Sequence, residues 1–163
     1  MEPLRALFQH HAWATLRLID HCAGLPPEQL ESTVPGTPGA IALTLRHLVA
    51  ADQRYLRDMD GQEPGIVIRE SVVATLDVLR AAAELQAARW LALVDEAPEL
   101  DVTLSAQHGD PEVMHGEDLI FLQAIHHGND DRTHVCTILG ALGLEVPELS
   151  GWEYWRAERS VSG

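Results

Sequence analysis

The densest chemistry in the sequence lies at residues 126 to 134, HHGNDDRTH, where three histidines and two aspartates fall within nine residues. Apolar runs flank the stretch, LIFLQAI before it and VCTILGAL after it, which predicts that it lies inside a helix facing a core. At about 100° per residue, Ile120, Ala124, Val135, Ile138 and Leu142 share one stripe of that helix. His127 lies at the edge of the stripe and Asp131 within it, while His126 and Asp130 point aside. Residues four apart on a helix hold their side chains about 6 Å apart, a chelating distance. His127 and Asp131 therefore have the spacing of two ligands to a transition metal. The same spacing also fits a satisfied core pair, bonded to each other or to an arginine. An unpaired buried carboxylate is costly, so Asp131 calls for a cation, a hydrogen-bonding partner or a changed protonation state. His134, one turn beyond Asp131, sits on the same flank, close enough to support the pair from behind.

Two ligands hold a metal poorly, and a third must come from another element. In IALTLRHLVAADQRYL the apolar stripe is Ile41, Leu45, Leu48, Tyr55 and Leu56. His47 lies on its flank beside Ala40, Thr44 and Ala51, whose small side chains leave room for a ligand or a water. Asp52 falls within the stripe, where it can orient a ligand histidine or pair with an arginine. Nearer the N-terminus, His11 is centred between Leu4, Phe8, Thr15 and Leu18 and also faces inward. It reads as the wall of a pocket, with a ligand or a core residue as the other choices. Spacing alone does not decide among these.

The elements that must position these residues follow from the punctuation of the chain. Residues 2–23 have helical spacing, with Leu4, Leu7, Phe8, Leu18, Ile19 and Cys22 in register. Prolines 26, 27, 35 and 38 with their neighbouring glycines make 24–39 a connecting loop. A second helix is predicted over about 40–59, ended by Asp60-Gly61, and a third over about 71–96, with Leu76, Leu79, Ala83 and Leu93 inward. Residues 99–115 lose the period and carry Gly109 and Pro111; the weak alternation of DVTLSAQ allows a short β-hairpin there. The fourth helix, about 116–142, ends before Gly143 and Pro147. Trp152, Tyr154 and Trp155 are expected to pack against the end of the bundle. Four amphipathic segments with no internal repeat predict an all-α four-helix bundle forming a single domain over residues 1–163.

Composition excludes several functions. A chain of 163 residues that is 46% apolar can bury a real core. No apolar run reaches the roughly 18 residues that span a bilayer, and MEPLRALFQHH lacks the apolar core of a signal peptide. Cys22 and Cys136 are too few for a disulfide framework, so a cytoplasmic location is expected. A net charge of −14 argues against nucleic acid and anionic membrane, and favours small-molecule partners. Di-iron bundles need paired E-x-x-H motifs; Glu112-Val-Met-His115 is a single match, beside Pro111. Neither a nucleophile elbow nor a phosphate-binding glycine loop is present, and no C-x-x-C suggests redox catalysis.

Three segments carry a resemblance to a known family. HHAWATLRLIDHCAGLPPEQL, TLRHLVAADQRYL and AIHHGNDDRTHVCTILGALGLEVPELSGWEYW resemble, in order, the signature regions of the DinB/YfiT-like metal-dependent proteins, the DinB superfamily. The resemblance implies a four-helix bundle, often with a short hairpin before the last long helix, and a homodimer. It also implies a metal triad of a histidine in the second helix and an H-x3-H pair in the last, followed by arginine. Those positions are His47, His127 and Asp131 here, with Arg132 in the arginine's place. Two positions depart from the pattern: Asp131 replaces a histidine, and the usual W-A-N reads Trp13-Ala14-Thr15. Two imidazoles and a carboxylate are a known metal-binding set, and leave zinc, nickel, manganese and iron open. The expected geometry brings the three metal-accepting atoms within roughly 3–4 Å of one another. By resemblance the chain is a metal-dependent thiol S-transferase taking a low-molecular-weight thiol, with His11 shaping the pocket or moving a proton. The alternative is a non-catalytic, metal-binding or pocket-bearing dimer in a stress response.

Overall fold

The structure, a computed structural model, describes residues 3–96, 103–105 and 114–161. In chain order its helices are α1 (Pro3–Cys22), α2 (Pro27–Leu30), α3 (Ile41–Asp60), α4 (Leu76–Glu96), α5 (Glu117–Ala141) and α6 (Gly151–Val161). Two three-residue segments, β1 (Thr103–Ser105) and β2 (Met114–Gly116), pair antiparallel with Leu104 opposite His115. Gly109, Pro111 and Glu112, expected in a loop, lie outside the described residues. The fold is an all-α bundle in which α1 and α3 each pack against both α4 and α5. Among the described residues no helix is long and apolar enough to cross a membrane.

Helix ends follow local chemistry. α3 stops where Gly61 takes a left-handed φ of +68° and donates its N–H to the Arg57 carbonyl at 2.8 Å. Only glycine adopts that conformation without a steric cost. The third long helix was expected from about residue 71 but begins at Leu76. Val72 and Val73 resemble a helix face by hydrophobicity alone, yet both are exposed and β-branched. The effective start is Thr75, whose Oγ1 accepts the Val78 N–H at 3.4 Å, with Asp77 in the first turn. Two short elements add to the expected four: α2, opened by Pro26-Pro27, and α6 near the C-terminus.

The core divides into two apolar clusters. Leu18, Ile19, Leu45, Val49, Leu79 and Ile138 belong to one; Phe8, Leu56, Trp90, Ile120, Phe121 and Ala124 form the other. In the second, the Phe8 ring lies 4.7 Å from Trp90 and 5.3 Å from Phe121, centroid to centroid. Burying each such side chain contributes about 1.5–3 kcal/mol. Between the two clusters every long helix also buries polar side chains. They are His11 and Thr15 on α1, Asp52 and Gln53 on α3, Gln86 on α4, and Asp131 and Arg132 on α5. A polar belt thus crosses the bundle between its two apolar halves.

Some side chains expected inside lie outside. Leu7 is exposed because the inward face of α1 runs through Phe8, His11, Thr15 and Leu18, one position away. Leu142 is exposed because α5 has ended at Ala141. Of the C-terminal aromatics only Tyr154 packs, edge-on to His10 at 5.8 Å and against Trp13 at 5.5 Å. Trp152 and Trp155 face solvent because α6 lays a single side on the bundle.

Candidate metal centre

The packing of α3 against α5 decides which side chains meet. Burial of Ile41, Leu45, Leu48 and Leu56 fixes the rotation of α3, and Ala124, Val135 and Ile138 fix that of α5. With those faces set, His47 on the flank of α3 meets His127 on α5, their Nε2 atoms 3.1 Å apart. Asp131, one turn on, brings Oδ2 to 3.5 Å from His127 Nδ1. One ligand-competent atom from each of His47, His127 and Asp131 lies within 4.8 Å of the other two. That spread exceeds the expected 3–4 Å because the two imidazoles face each other directly instead of a common point. The cluster also sits at the rim of the bundle: the His47 side chain is 36% exposed, while that of Asp131 is 7% exposed. A pocket of about 190 Å³, lined by Gly39, Leu43, Thr44, His47, Glu70 and Asp131, leads to it.

The electrostatics of the cluster are unbalanced. Burial raises the Asp131 pKa above its ordinary value, an effect that His127, His47 and His134 oppose but do not cancel. His127 Nδ1 and Asp131 Oδ2 are both buried and make no hydrogen bond among the described residues. Their 3.5 Å approach is close enough for attraction and too poorly made for a hydrogen bond. Buried polar atoms normally find partners, and a cation would satisfy this orphaned pair. The donor set, two imidazoles and one carboxylate, suits zinc, nickel, manganese or iron in their divalent states. The residues therefore fit a divalent metal.

The model of the DinB family matches residues 1–160. The chain belongs to the DinB family. No curated protein matches its sequence.

In this DinB-family chain, the residue holding the first histidine in place is one that sequence patterns did not single out. Glu70 Oε1 lies 3.2 Å from His47 Nδ1 and also bonds Arg54 Nη1. A carboxylate behind a histidine fixes the ring so that its other nitrogen faces the metal. Partial burial raises the Glu70 pKa, but the hydrogen bond and charge of Arg54, with His47, outweigh it and leave the carboxyl below its usual value. Glu70 lies in the α3–α4 connection, where no periodicity marks it. Tyr55 stacks edge-on to His127 at 6.0 Å, so the residue expected as core also borders the site.

The remaining site candidates form a separate network. His11 is buried, with Nε2 2.8 Å from Asp52 Oδ2 and Nδ1 3.3 Å from Arg132 Nη1. The pattern calls for the tautomer in which Nε2–H donates to Asp52 and Nδ1 accepts from Arg132. Arg132 turns away from Asp131, donating from Nη1 to Thr15 Oγ1 at 2.8 Å and from Nη2 to Asn129 Oδ1 at 2.6 Å. Burial lowers its pKa to about 10, with Asp52 and Asp131 opposing, so the guanidinium keeps its charge. Asp52 thus bonds His11 and not His47, and the carboxylate behind His47 is Glu70. His11 is not part of the pocket lining at the triad. His134 adds charge that favours ionised Asp131, and its own buried Nδ1 makes no hydrogen bond among the described residues.

Gly128 makes this network possible. A Cβ at that position would stand 2.4 Å from His11 Cε1 and 2.8 Å from His11 Nδ1. The glycine costs helix stability of about 1 kcal/mol and admits the His11 ring against the α5 backbone. A glycine in the middle of an otherwise helical HHGND was the available sequence signal.

Proposed function

We propose that this DinB-family protein is a divalent-metal-dependent thiol S-transferase acting on small electrophiles. The observation that carries the reading is the convergence of His47, His127 and Asp131 beside a pocket, with two buried donor atoms unsatisfied. A divalent ion held by these three side chains would supply Lewis acidity and lower the pKa of a thiol in a remaining coordination position. Glu70 keeps the His47 ring oriented, and Tyr55 packs against His127. His11, with both ring nitrogens engaged, acts in this reading as a positioning residue through Asp52 and Arg132. In the transfer the thiol loses its proton to solvent, its sulfur bonds to the electrophilic carbon, and the leaving group departs with the displaced electron pair.

The protein's own thiols are poor candidates for the nucleophile. Burial, with Cys136 adding to it, pushes the Cys22 pKa up to about 12, and burial raises Cys136 as well. A neutral thiol is a weak nucleophile, so the sulfur comes from a low-molecular-weight cosubstrate. The test is a panel of such thiols with a small electrophile and protein loaded with zinc, nickel, manganese or iron. Loss of the thiol should be accelerated, should fall by orders of magnitude in His47→Ala and His127→Ala, and should survive Cys22→Ser. Asp131→His should retain metal and shift which metal is preferred. A fully occupied site with no thiol reacting above background would favour the second reading, a non-catalytic metal-binding dimer. That reading draws on the direct His47–His127 contact at 3.1 Å, which already satisfies one nitrogen of each ring.

A further inference from the structure

A second pocket adjoins the candidate metal centre, and its charge is out of keeping with the chain. It has a volume of about 580 Å³ and is lined by Arg54, Arg57, Glu63, Arg69, Glu70 and Ser71 among others. Acidic residues outnumber basic ones 25 to 11 in this protein, so a cleft with more guanidiniums than carboxylates stands apart from the rest of its surface. Arg5, Arg17, Arg54, Arg80, Arg89 and Arg156 all form ion pairs. Arg46, Arg57, Arg69, Arg132 and Arg159 have no ion pair among the described residues, and of these Arg57 and Arg69 line this pocket. Arg54 is already bound to Glu70. Glu63 remains as the opposing charge, so three guanidiniums face two carboxylates in a chain of net charge −14.

Glu70 joins this pocket to the triad. It lines both cavities, bonds Arg54 on one side and stands 3.2 Å from His47 Nδ1 on the other. A ligand with its acid group on Arg57 and Arg69 would extend past Glu70 toward His47. Guanidinium forks match the planar oxygens of a carboxylate or the faces of a phosphate. We propose that Arg57 and Arg69 form a subsite for the oxyanion end of a small acidic ligand whose other end reaches His47. The second half rests on the metal-dependent reading above; the subsite itself does not. Because both arginines are exposed, the interaction is of moderate strength and weakens with salt.

Titration calorimetry tests the two halves separately. Metal-free protein is titrated with succinate and, in a parallel arm, with inorganic phosphate, which distinguishes a carboxylate from a phosphate ligand. At least one should bind saturably, and Arg57→Gln/Arg69→Gln should weaken it by about tenfold or more, while Arg80→Gln leaves it unchanged. On metal-loaded protein, mercaptosuccinate should bind more tightly than 2-mercaptoethanol, and the double arginine variant should erase the difference while keeping 2-mercaptoethanol binding. Binding of neither anion, or equal binding by wild type and the double variant with unchanged circular dichroism, would overturn the subsite. Anion binding that depends on the arginines but gives mercaptosuccinate no advantage would overturn its link to His47 and leave the subsite standing.

Discussion

Helices α3 and α5 each contribute to two polar clusters, and the clusters differ in how their atoms are satisfied. In one, His11, Asp52, Arg132 and Thr15 bond one another at 2.8–3.3 Å, and both ring nitrogens of the histidine are used. In the other, His47, His127 and Asp131 meet at the rim, and two buried donor atoms are left without hydrogen bonds. The same residue types serve both. A complete network behaves as part of the core, tying α1, α3 and α5 together across the polar belt. An incomplete one beside a pocket leaves buried polar atoms that a bound cation would satisfy. Satisfaction, not residue type, separates structure from function here.

Breaking the complete network should cost the most. Asp52→Ala leaves a buried guanidinium and imidazole without their carboxylate and should destabilise the fold by about 3–5 kcal/mol. Denaturant unfolding should register that loss with and without metal alike. Completing the incomplete cluster should have the next largest effect. Metal bound only by the folded protein stabilises it by about 3–4 kcal/mol at a hundred- to thousandfold saturation. Chelator should therefore lower the melting temperature of loaded wild type and leave His127→Ala unmoved; identical curves for wild type with and without chelator would remove the tie between α3 and α5.

Gly128→Ala sharpens the comparison from the other side. In an exposed helix such a change stabilises by about 1 kcal/mol, but here the new Cβ meets His11 at 2.4 Å. A net destabilisation of about 1–3 kcal/mol is expected, read by the same unfolding curves. A stabilised variant would mean that His11 is not held where the network places it.

The smallest effect distinguishes the two clusters by pH. Burial raises the Asp131 pKa from its ordinary 3.8, so in metal-free protein its ionised form is the unfavourable one. Its contribution is fully present below that ordinary value and is lost as pH rises through the raised one. Relative to Asp131→Asn, metal-free wild type should thus gain stability on acidification across that window. Metal-loaded protein should behave oppositely, losing stability on acidification as protons compete with the ion for its ligands. Parallel pH profiles for loaded and metal-free protein would contradict the assignment.

Much of this was legible in the sequence where periodicity carries information. The stripes through Leu45, Leu48 and Leu56 and through Ala124, Val135 and Ile138 set the rotation of α3 and α5. His47, His127 and Asp131 can be placed relative to those stripes from the sequence alone. Glu70 could not, because it reaches His47 from a connection with no period. The start of α4 was misplaced because Val72 and Val73 mimic an apolar face that a β-branched, exposed pair does not sustain. Asp52 and His11 were recognised as inward-facing, but their mutual bond depends on how closely α1 approaches α3 and α5. That approach is permitted by the missing side chain at Gly128, a tertiary fact with only a weak local signature.

If His47, His127 and Asp131 hold one divalent metal, direct metal quantification after reconstitution will show it. Chelator-treated wild type, His47→Ala, His127→Ala and Asp131→Ala are each incubated with zinc, nickel, manganese or iron(II), desalted, and measured by elemental analysis. About one equivalent per chain of at least one metal is expected in wild type, with its loss in all three variants. Wild type retaining none of the four metals, or variants retaining as much as wild type, would contradict it.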